Sequence, residues 1–154
     1  MVYASYSNII SPLGFSTAEN FKAVMDSKIG VKKLVLPFSS DPFCVGQIDG
    51  ENTKQRFSAL GSLNEYTKLE QLSILSIKDV LVQSGLNPKD PRVLLIYSTT
   101  KGNIDILENA YPGIDFTRAY LPALTNTLKD FFGFVNTPLV LSNACISGIL
   151  AIIM

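Results

Sequence analysis

The sequence predicts an α/β protein in which a mostly parallel sheet is layered with helices on both faces. Segments with the period of a helix alternate with short apolar runs that are typical of strands. Residues 93–97 are continuously apolar, as in a strand that is covered on both faces. The chain has 154 residues, of which 47% are hydrophobic, so it can bury one substantial core. We therefore expect a single domain over residues 1–154.

The first elements are a strand and a helix. Residues 2–10 mix aromatic, β-branched and small side chains and run into the turn at 11–14, which is typical of a strand. Ser16 and Glu19 have the spacing of a capping box, and Gly30 is a stop signal, so a helix is expected between them. One face of this helix carries Ala18, Phe21, Val24 and Met25.

The middle of the chain predicts a small hairpin and then a long helix. Residues 31–48 contain short extended pieces broken by prolines and a Ser-Ser-Asp turn. Ser62 and Glu65 repeat the capping-box spacing, and the helix that they start is expected to end at Gly85. Its apolar face carries Tyr66, Leu69, Leu72, Ile77, Val80 and Leu81.

The second part of the chain repeats the alternation. The strand at 93–97 is followed by a small-residue loop at 98–102 and by a short helix expected over 104–110. A better helix is marked by Pro122 near its start and Gly133 at its end. Residues 138–141 then predict a last strand. From Cys145 the chain turns into an apolar segment, which we expect to be a helix that lies against the sheet with Cys145 as its first residue.

Composition excludes several function classes. Thirteen basic and thirteen acidic residues balance, so we expect neither a nucleic-acid nor an anionic-membrane partner. No apolar run reaches the roughly 18 residues of a spanning helix, and the start of the chain lacks the basic region of a leader, so a soluble, cytoplasmic protein is expected. The chain has no histidine and two distant cysteines, which predicts no metal site, no cofactor and no disulfide framework.

The segment at 146–154 is apolar around nearly its whole circumference and ends at Met154 without a closing glycine, asparagine or basic residue. We expect this chain to be truncated within that helix, or a partner to cover its apolar end. The alternative is a tail that forms a last buried strand.

Cys145 is the candidate nucleophile. It follows an apolar strand and precedes a helix, and a helix amino terminus stabilises the thiolate and offers N–H groups to an oxyanion. Free cysteines are, however, more often small buried hydrophobes. The same applies to Cys44, which we expect to pack beside Phe43 and Val45 without a functional role.

The segment Asn143-Ala144-Cys145-Ile146-Ser147-Gly148 resembles the active-site segment of β-ketoacyl synthases, the condensing enzymes of the thiolase-like fold. The opening Ile9-Ile10-Ser11-Pro12-Leu13-Gly14, the helix end Gln83-Ser84-Gly85-Leu86 and the loop at 98–102 are similar to the same family in the same order. The resemblance implies that residues 1–154 form the amino-terminal half of such a synthase. It also implies that Cys145 is its catalytic acyl acceptor.

By this resemblance, Cys145 takes an acyl group from an acyl carrier protein or coenzyme A thioester, and a malonyl-type unit then condenses with it, in fatty-acid or polyketide/polyene synthesis. The family's histidines belong to the carboxy-terminal half, so this chain alone is expected to be inactive in condensation. A homodimer, or the missing half, is the expected partner.

Two other functions remain as alternatives. One is a non-catalytic structural or chain-length-determining subunit of the same fold, against which the retained Cys145 argues. The other is an α/β hydrolase or a thiol-redox module, which would need a histidine or a Cys-x-x-Cys pair.

Four further residues or pairs have simpler interpretations than a catalytic one. Phe131 and Phe132 could line an acyl tunnel but more often fill a core. Lys101-Gly102 is interpreted as a turn, and Asp105 and Glu108 as solvated charges.

Overall fold

A computed structural model describes residues 3–108 and 111–154. The helices and strands of these residues are α1 (Thr17–Met25), β1 (Val31–Val35), β2 (Pro42–Gly46), α2 (Gly50–Phe57), α3 (Lys68–Ser84), β3 (Ile96–Ser98), α4 (Leu121–Phe132), β4 (Leu139–Leu141) and α5 (Ser147–Ile153). Short 3₁₀ segments lie at Ile104–Glu108, Phe116–Ala119 and Ala144–Ile146. The protein is therefore a mixed α/β structure, as predicted.

The strands form two small pairs. β1 and β2 are antiparallel and form the expected hairpin. β3 and β4 are parallel, with Ile96 opposite Leu139 and Ser98 opposite Leu141. The sequence predicted one mostly parallel sheet, but the described residues form two separate two-stranded sheets, of which only the β3–β4 pair is parallel.

The strand predicted over residues 2–10 is absent from its described part, residues 3–10. A buried asparagine in α1 replaces strand pairing there. The Asn20 amide nitrogen donates hydrogen bonds to the carbonyls of Ile9 (2.9 Å) and Gly14 (3.1 Å), and its amide oxygen accepts one from the Ser11 hydroxyl. The Thr17 hydroxyl adds a hydrogen bond to the Ser7 carbonyl at 3.0 Å. The opening segment is therefore held by side-chain hydrogen bonds and needs no neighbouring strand.

α1 starts where the capping pattern predicts. The Ser16 hydroxyl accepts a hydrogen bond from the Glu19 N–H at 3.1 Å, while the Glu19 carboxylate accepts one from the Phe15 N–H at 2.6 Å. The side chains that α1 buries are Asn20 and Ala23. The apolar face that we expected to pack, which carries Ala18, Phe21, Val24 and Met25, is exposed instead.

The start of α3 differs from the prediction. Ser62 and Glu65 form only a turn, and the capping box is made by Thr67 and Glu70, so the helix begins at Lys68. Both pairs have the same spacing in sequence, but Thr67 and Glu70 are completely buried and have tertiary partners. The end at Gly85, in the left-handed conformation with φ 67°, was predicted correctly.

The core lies between α2, α3 and α4, around the buried side chains Phe57, Ile74, Leu124 and Leu128. Phe131 and Phe132 pack against it, with ring centroids 4.9 Å apart in a T-shaped contact. These two rings therefore fill the core, as their simpler interpretation predicts. α2 itself was not predicted, although Asp49 caps it through the N–H groups of Glu51 and Asn52.

The later elements follow the prediction with shorter strands, and β3 is also displaced: it covers Ile96–Ser98 instead of the predicted 93–97. α4 has Pro122 in its first turn and ends at Gly133, where φ is 72°. β4 occupies three of the four residues predicted at 138–141. Of the short helix predicted over 104–110, the 3₁₀ segment Ile104–Glu108 is present, while residues 109 and 110 lie outside the described residues.

Candidate functional site

Cys145 lies at the carboxyl edge of the parallel pair. β3 and β4 run in the same direction, and the Thr99 N–H continues their pairing by donating to the Leu141 carbonyl at 3.1 Å. The loops that follow the two strands therefore leave the same edge, which is where α/β proteins bind ligands. One loop carries Thr99 to Gly102, and the other carries Cys145.

Cys145 is not the first residue of the last α-helix. It is the middle residue of the 3₁₀ turn Ala144–Ile146, and α5 begins at Ser147. The difference arises because Ala144 has a φ of 43°, which no α-helical residue adopts, so the chain must turn before the helix can start. The other part of the prediction is confirmed, since α5 packs against β3 and β4.

One buried hydroxyl holds this turn. Ser147 is 4% exposed, and its hydroxyl accepts a hydrogen bond from the Asn143 N–H at 2.7 Å and donates one to the Ala144 carbonyl at 2.8 Å. The two bonds join the start of α5 to the backbone on the amino-terminal side of Cys145. A left-handed alanine is costly and persists where such contacts hold it.

Both cysteines are free and exposed. The expectation that Cys44 packs was wrong, because β2 is one strand of a two-stranded hairpin and Cys44 stands opposite Lys33 with nothing packed over it. Cys145 is an exposed residue in a turn at the end of a parallel strand, whereas Cys44 is an exposed residue in the middle of a strand. The two cysteines therefore differ in their backbone setting.

A buried polar network lies below the same edge and was missed by sequence reasoning. Glu70 is completely buried and accepts hydrogen bonds from the Arg118 guanidinium, the Asn103 amide (2.8 Å) and the Thr67 N–H (2.9 Å). Thr67 also donates its hydroxyl proton to the Asn103 amide oxygen at 2.8 Å. The capping spacing of Thr67 and Glu70 was the signal in the sequence that could have located it.

An apolar groove of about 570 Å³ opens beside the loop after β3. We call it the Lys101 groove, and the side chains that shape it are Lys101, Ile104, Leu107, Phe116, Tyr120 and Leu121. Its volume lies within the range of small-molecule sites. Gly102, which follows Lys101, packs closely against Leu121 of the groove, because a Cβ on Gly102 would stand 2.6 Å from a methyl carbon of Leu121.

The Lys101-Gly102 pair forms a turn, as predicted. Gly102 has a φ of 57°, and its N–H donates to the Thr99 hydroxyl at 3.0 Å. Asp105, in contrast, is not simply solvated, since it accepts a 2.5 Å hydrogen bond from the Tyr111 hydroxyl. Burial, followed by this bond, raises the pKa of Tyr111 to about 12. Glu108 is exposed, as expected.

The Cys145 thiol at this edge has no histidine to act as its base, because the whole sequence contains none. Within residues 3–108 and 111–154 no cluster of three or more metal-binding side chains is present. In the same ranges no helix has both the length and the apolar character that crossing a bilayer requires. An exposed thiol of this kind can exchange with a thioester, but it has no imidazole to assist it.

A scan against protein-family profiles finds no match to this chain, and a search of the curated proteins finds no significantly similar sequence. Functional assignment therefore depends on the residues and their geometry.

Proposed function

We propose that this chain is the acyl-accepting half of a condensing enzyme, with Cys145 as the nucleophile. The observation that carries the proposal is the exposed thiol of Cys145 in a strained turn at the carboxyl edge of a parallel strand pair. The sequence around it, from Asn143 to Gly148, resembles the active-site segment of β-ketoacyl synthases. A sharp turn between strand and helix is a recurrent way to present a nucleophile at a cleft.

The proposed reaction is a thiol-thioester exchange. The Cys145 sulfur attacks the thioester carbonyl of an acyl carrier protein or acyl-coenzyme A, forming a new carbon–sulfur bond while the bond to the carrier thiol breaks. The proton of the Cys145 thiol ends on the departing thiol, so the exchange needs no further reactant. Condensation with a malonyl-type unit is assigned to groups outside this chain, because the family resemblance places its histidines in the other half.

The proposal includes a fold and a partner. Residues 1–154 would be the amino-terminal half of a layered thiolase-like fold, completed by its carboxy-terminal half or by a second copy. Exposed apolar side chains on α5, among them Ile149 at 62%, Ile152 at 80% and Ile153 at 70%, support a covering partner.

The test is acylation of the purified chain by a medium-chain acyl-coenzyme A, followed by intact mass and peptide mapping. We expect one acyl group on Cys145, and we expect Cys145→Ala to abolish it. Cys44 provides a matched control within the same molecule, because it is also free and exposed. Cys44→Ala is therefore expected to leave the adduct unchanged.

The pattern of adducts decides between the alternatives. Equal labelling of both cysteines would show that any exposed thiol of the chain exchanges with the thioester. This result would refute a specific acyl-accepting site. An absence of adduct with both coenzyme A and carrier donors would favour a non-catalytic subunit of the same fold. Release of a β-ketoacyl product after addition of malonyl carrier protein would show that the chain needs no second half.

A further inference from the structure

The Lys101 groove has the composition of a site for an amphiphile. Its floor and walls expose four large side chains to solvent by half or more, which are Ile104 (50%), Leu107 (59%), Phe116 (57%) and Tyr120 (70%). Apolar surface that is both concave and exposed to this extent is typical of ligand-binding sites.

A single charge stands at this apolar groove. Lys101 is exposed, and it is the one charged side chain among the described residues that line the groove. Within residues 3–108 and 111–154 it has no ion-pair partner. An unpaired cation beside an apolar surface complements a ligand with an apolar body and an anionic end.

The groove is held open by the buried network below it. Two residues that do not line the groove themselves lie in the segments that do: Asn103 precedes Ile104 in sequence, and Arg118 lies between Thr117 and Ala119. Both side chains bind the buried carboxylate of Glu70, and the Asn103 amide also donates to the Arg118 carbonyl at 3.2 Å. Because one buried group ties the two segments together, the groove does not have to form when a ligand arrives.

We propose that the Lys101 groove binds an amphiphile with one linear apolar chain and an anionic end, of the medium-chain carboxylate class. The chain lies along Ile104, Leu107 and Phe116, and the anionic end meets the Lys101 ammonium. The inference goes beyond the proposed acyl transfer, since this binding forms no covalent bond and does not involve Cys145.

The experiment is calorimetric titration of Cys145→Ala with decanoate, decanol and decyltrimethylammonium, each below its micelle concentration. Using this variant separates groove binding from acylation, so failure of one proposal leaves the other testable. We expect decanoate to bind about fivefold more tightly than decanol, which is the size of a single exposed charge interaction, and the cationic ligand to bind most weakly.

Two pairs of variants test the two parts of the site. Lys101→Met is expected to remove the preference for decanoate and to leave decanol binding unchanged, whereas Lys32→Met, at an exposed lysine of the hairpin, should change neither. Phe116→Ser is expected to lower the affinity for both decanoate and decanol about tenfold, because an apolar contact is lost. Phe21→Ser, at a phenylalanine of α1 that is 67% exposed, should weaken the binding of neither ligand.

Several outcomes would overturn the proposal. Equal affinity for decanoate and decanol, with no effect of Lys101→Met, would show that the groove does not recognise the anionic end of the ligand. Equal loss in Phe116→Ser and Phe21→Ser would show general adsorption to apolar surface. If no ligand binds, and Phe116→Ser dissociates a dimer in sedimentation, the groove is a contact between copies of the chain instead.

Discussion

At the scale of single residues, the turn at Cys145 depends on one hydroxyl. The left-handed conformation of Ala144 costs about 1–2 kcal/mol for a residue with a Cβ. The two hydrogen bonds of the Ser147 hydroxyl each contribute about 0.5–1.5 kcal/mol, which is enough to offset that cost. Ser147 thus determines the backbone geometry that places the Cys145 thiol.

We predict that Ser147→Ala lowers the free energy of unfolding by about 1–3 kcal/mol, because the Asn143 N–H loses its acceptor. Adding Ala144→Gly should recover about 1 kcal/mol, since glycine adopts a positive φ without strain. Urea unfolding measures both changes. Ser58→Ala is the matched control, because Ser58 also donates to a carbonyl three residues earlier but is exposed. A loss in Ser147→Ala no larger than in Ser58→Ala would contradict the prediction.

Tyr111 gives a prediction about pH. Its neutral, protonated form is favoured in the folded protein, where burial and the bond to Asp105 raise its pKa to about 12 from an ordinary value of 10.0. This contribution to stability is complete below pH 10 and is lost as the pH rises from 10 towards 12. The stability excess of wild type over Tyr111→Phe should therefore be constant below pH 10 and shrink above it.

The measurement is urea unfolding of both proteins at several pH values between 8 and about 11.5. Tyr6→Phe, which removes the hydroxyl group of an exposed tyrosine, is the control for the loss of one hydroxyl. An excess that stays constant to pH 11.5 would show that Tyr111 does not hold its proton in this way.

At the scale of elements, the amino terminus of α3 organises the second part of the chain. Its capping residues, Thr67 and Glu70, satisfy the first turn of the helix and also bind Asn103 and Arg118. Helix caps usually bond only to residues of the same turn, whereas this cap also bonds to two segments that come later in the chain. The cap therefore determines where the loop after β3 and the 3₁₀ segment before α4 lie relative to α3.

We predict that Glu70→Ala lowers the free energy of unfolding by about 3–5 kcal/mol, because it leaves the Arg118 charge and the Asn103 amide without their buried partner. Glu51→Ala is the matched control, since Glu51 forms a 2.8 Å ion pair with Lys54 on an exposed helix surface. That pair should contribute at most about 1 kcal/mol. Equal losses in the two variants, measured by chemical unfolding, would exclude a buried network at Glu70.

The same elements show how far the sequence alone can predict this structure. Local signals located α4, the start of α1 and the hairpin, because caps, prolines and glycines act within a few residues. The end of α1, expected near Gly30, lies at Met25. They could not choose between Ser62 and Thr67 as the start of α3, since both fit and only tertiary partners distinguish them. The start of α5 was predicted two residues too early, at Cys145 instead of Ser147. The buried network and the groove were not predicted, because they join residues that are distant in sequence.

At the scale of the whole molecule, two helices expose apolar faces in addition to the Lys101 groove. α5 exposes Ile149, Ile152 and Ile153, and α1 exposes Phe21, Val24 and Met25. Faces of this kind are more often covered by protein than left in water. The apolar pattern of α1 predicted a helix correctly but could not tell whether the core or a partner would bury it.

We predict that the chain self-associates through α5, giving a dimer at micromolar concentration in sedimentation equilibrium. Ile152→Lys should weaken the dimer at least tenfold, because it places a charge in the apolar contact. Ile29→Lys changes a side chain that is equally exposed, at 79%, but lies after α1 and should have little effect. A monomer at all concentrations would refute self-association. A larger effect of Ile29→Lys than of Ile152→Lys on the dimer would place the contact near Ile29 instead of α5.

The parallel pairing of β3 with β4 also has a kinetic consequence. The hairpin partners β1 and β2 are close along the chain, whereas Ile96 meets Leu139 only after the whole of α4 and its preceding loops have been brought back. Closing a long loop delays the contacts that depend on it, so parallel pairs form late in folding. The strained turn at Cys145 follows β4 directly. We expect the Cys145 thiol to lie in a flexible segment until this pairing forms, and to take its position in the turn only late in folding.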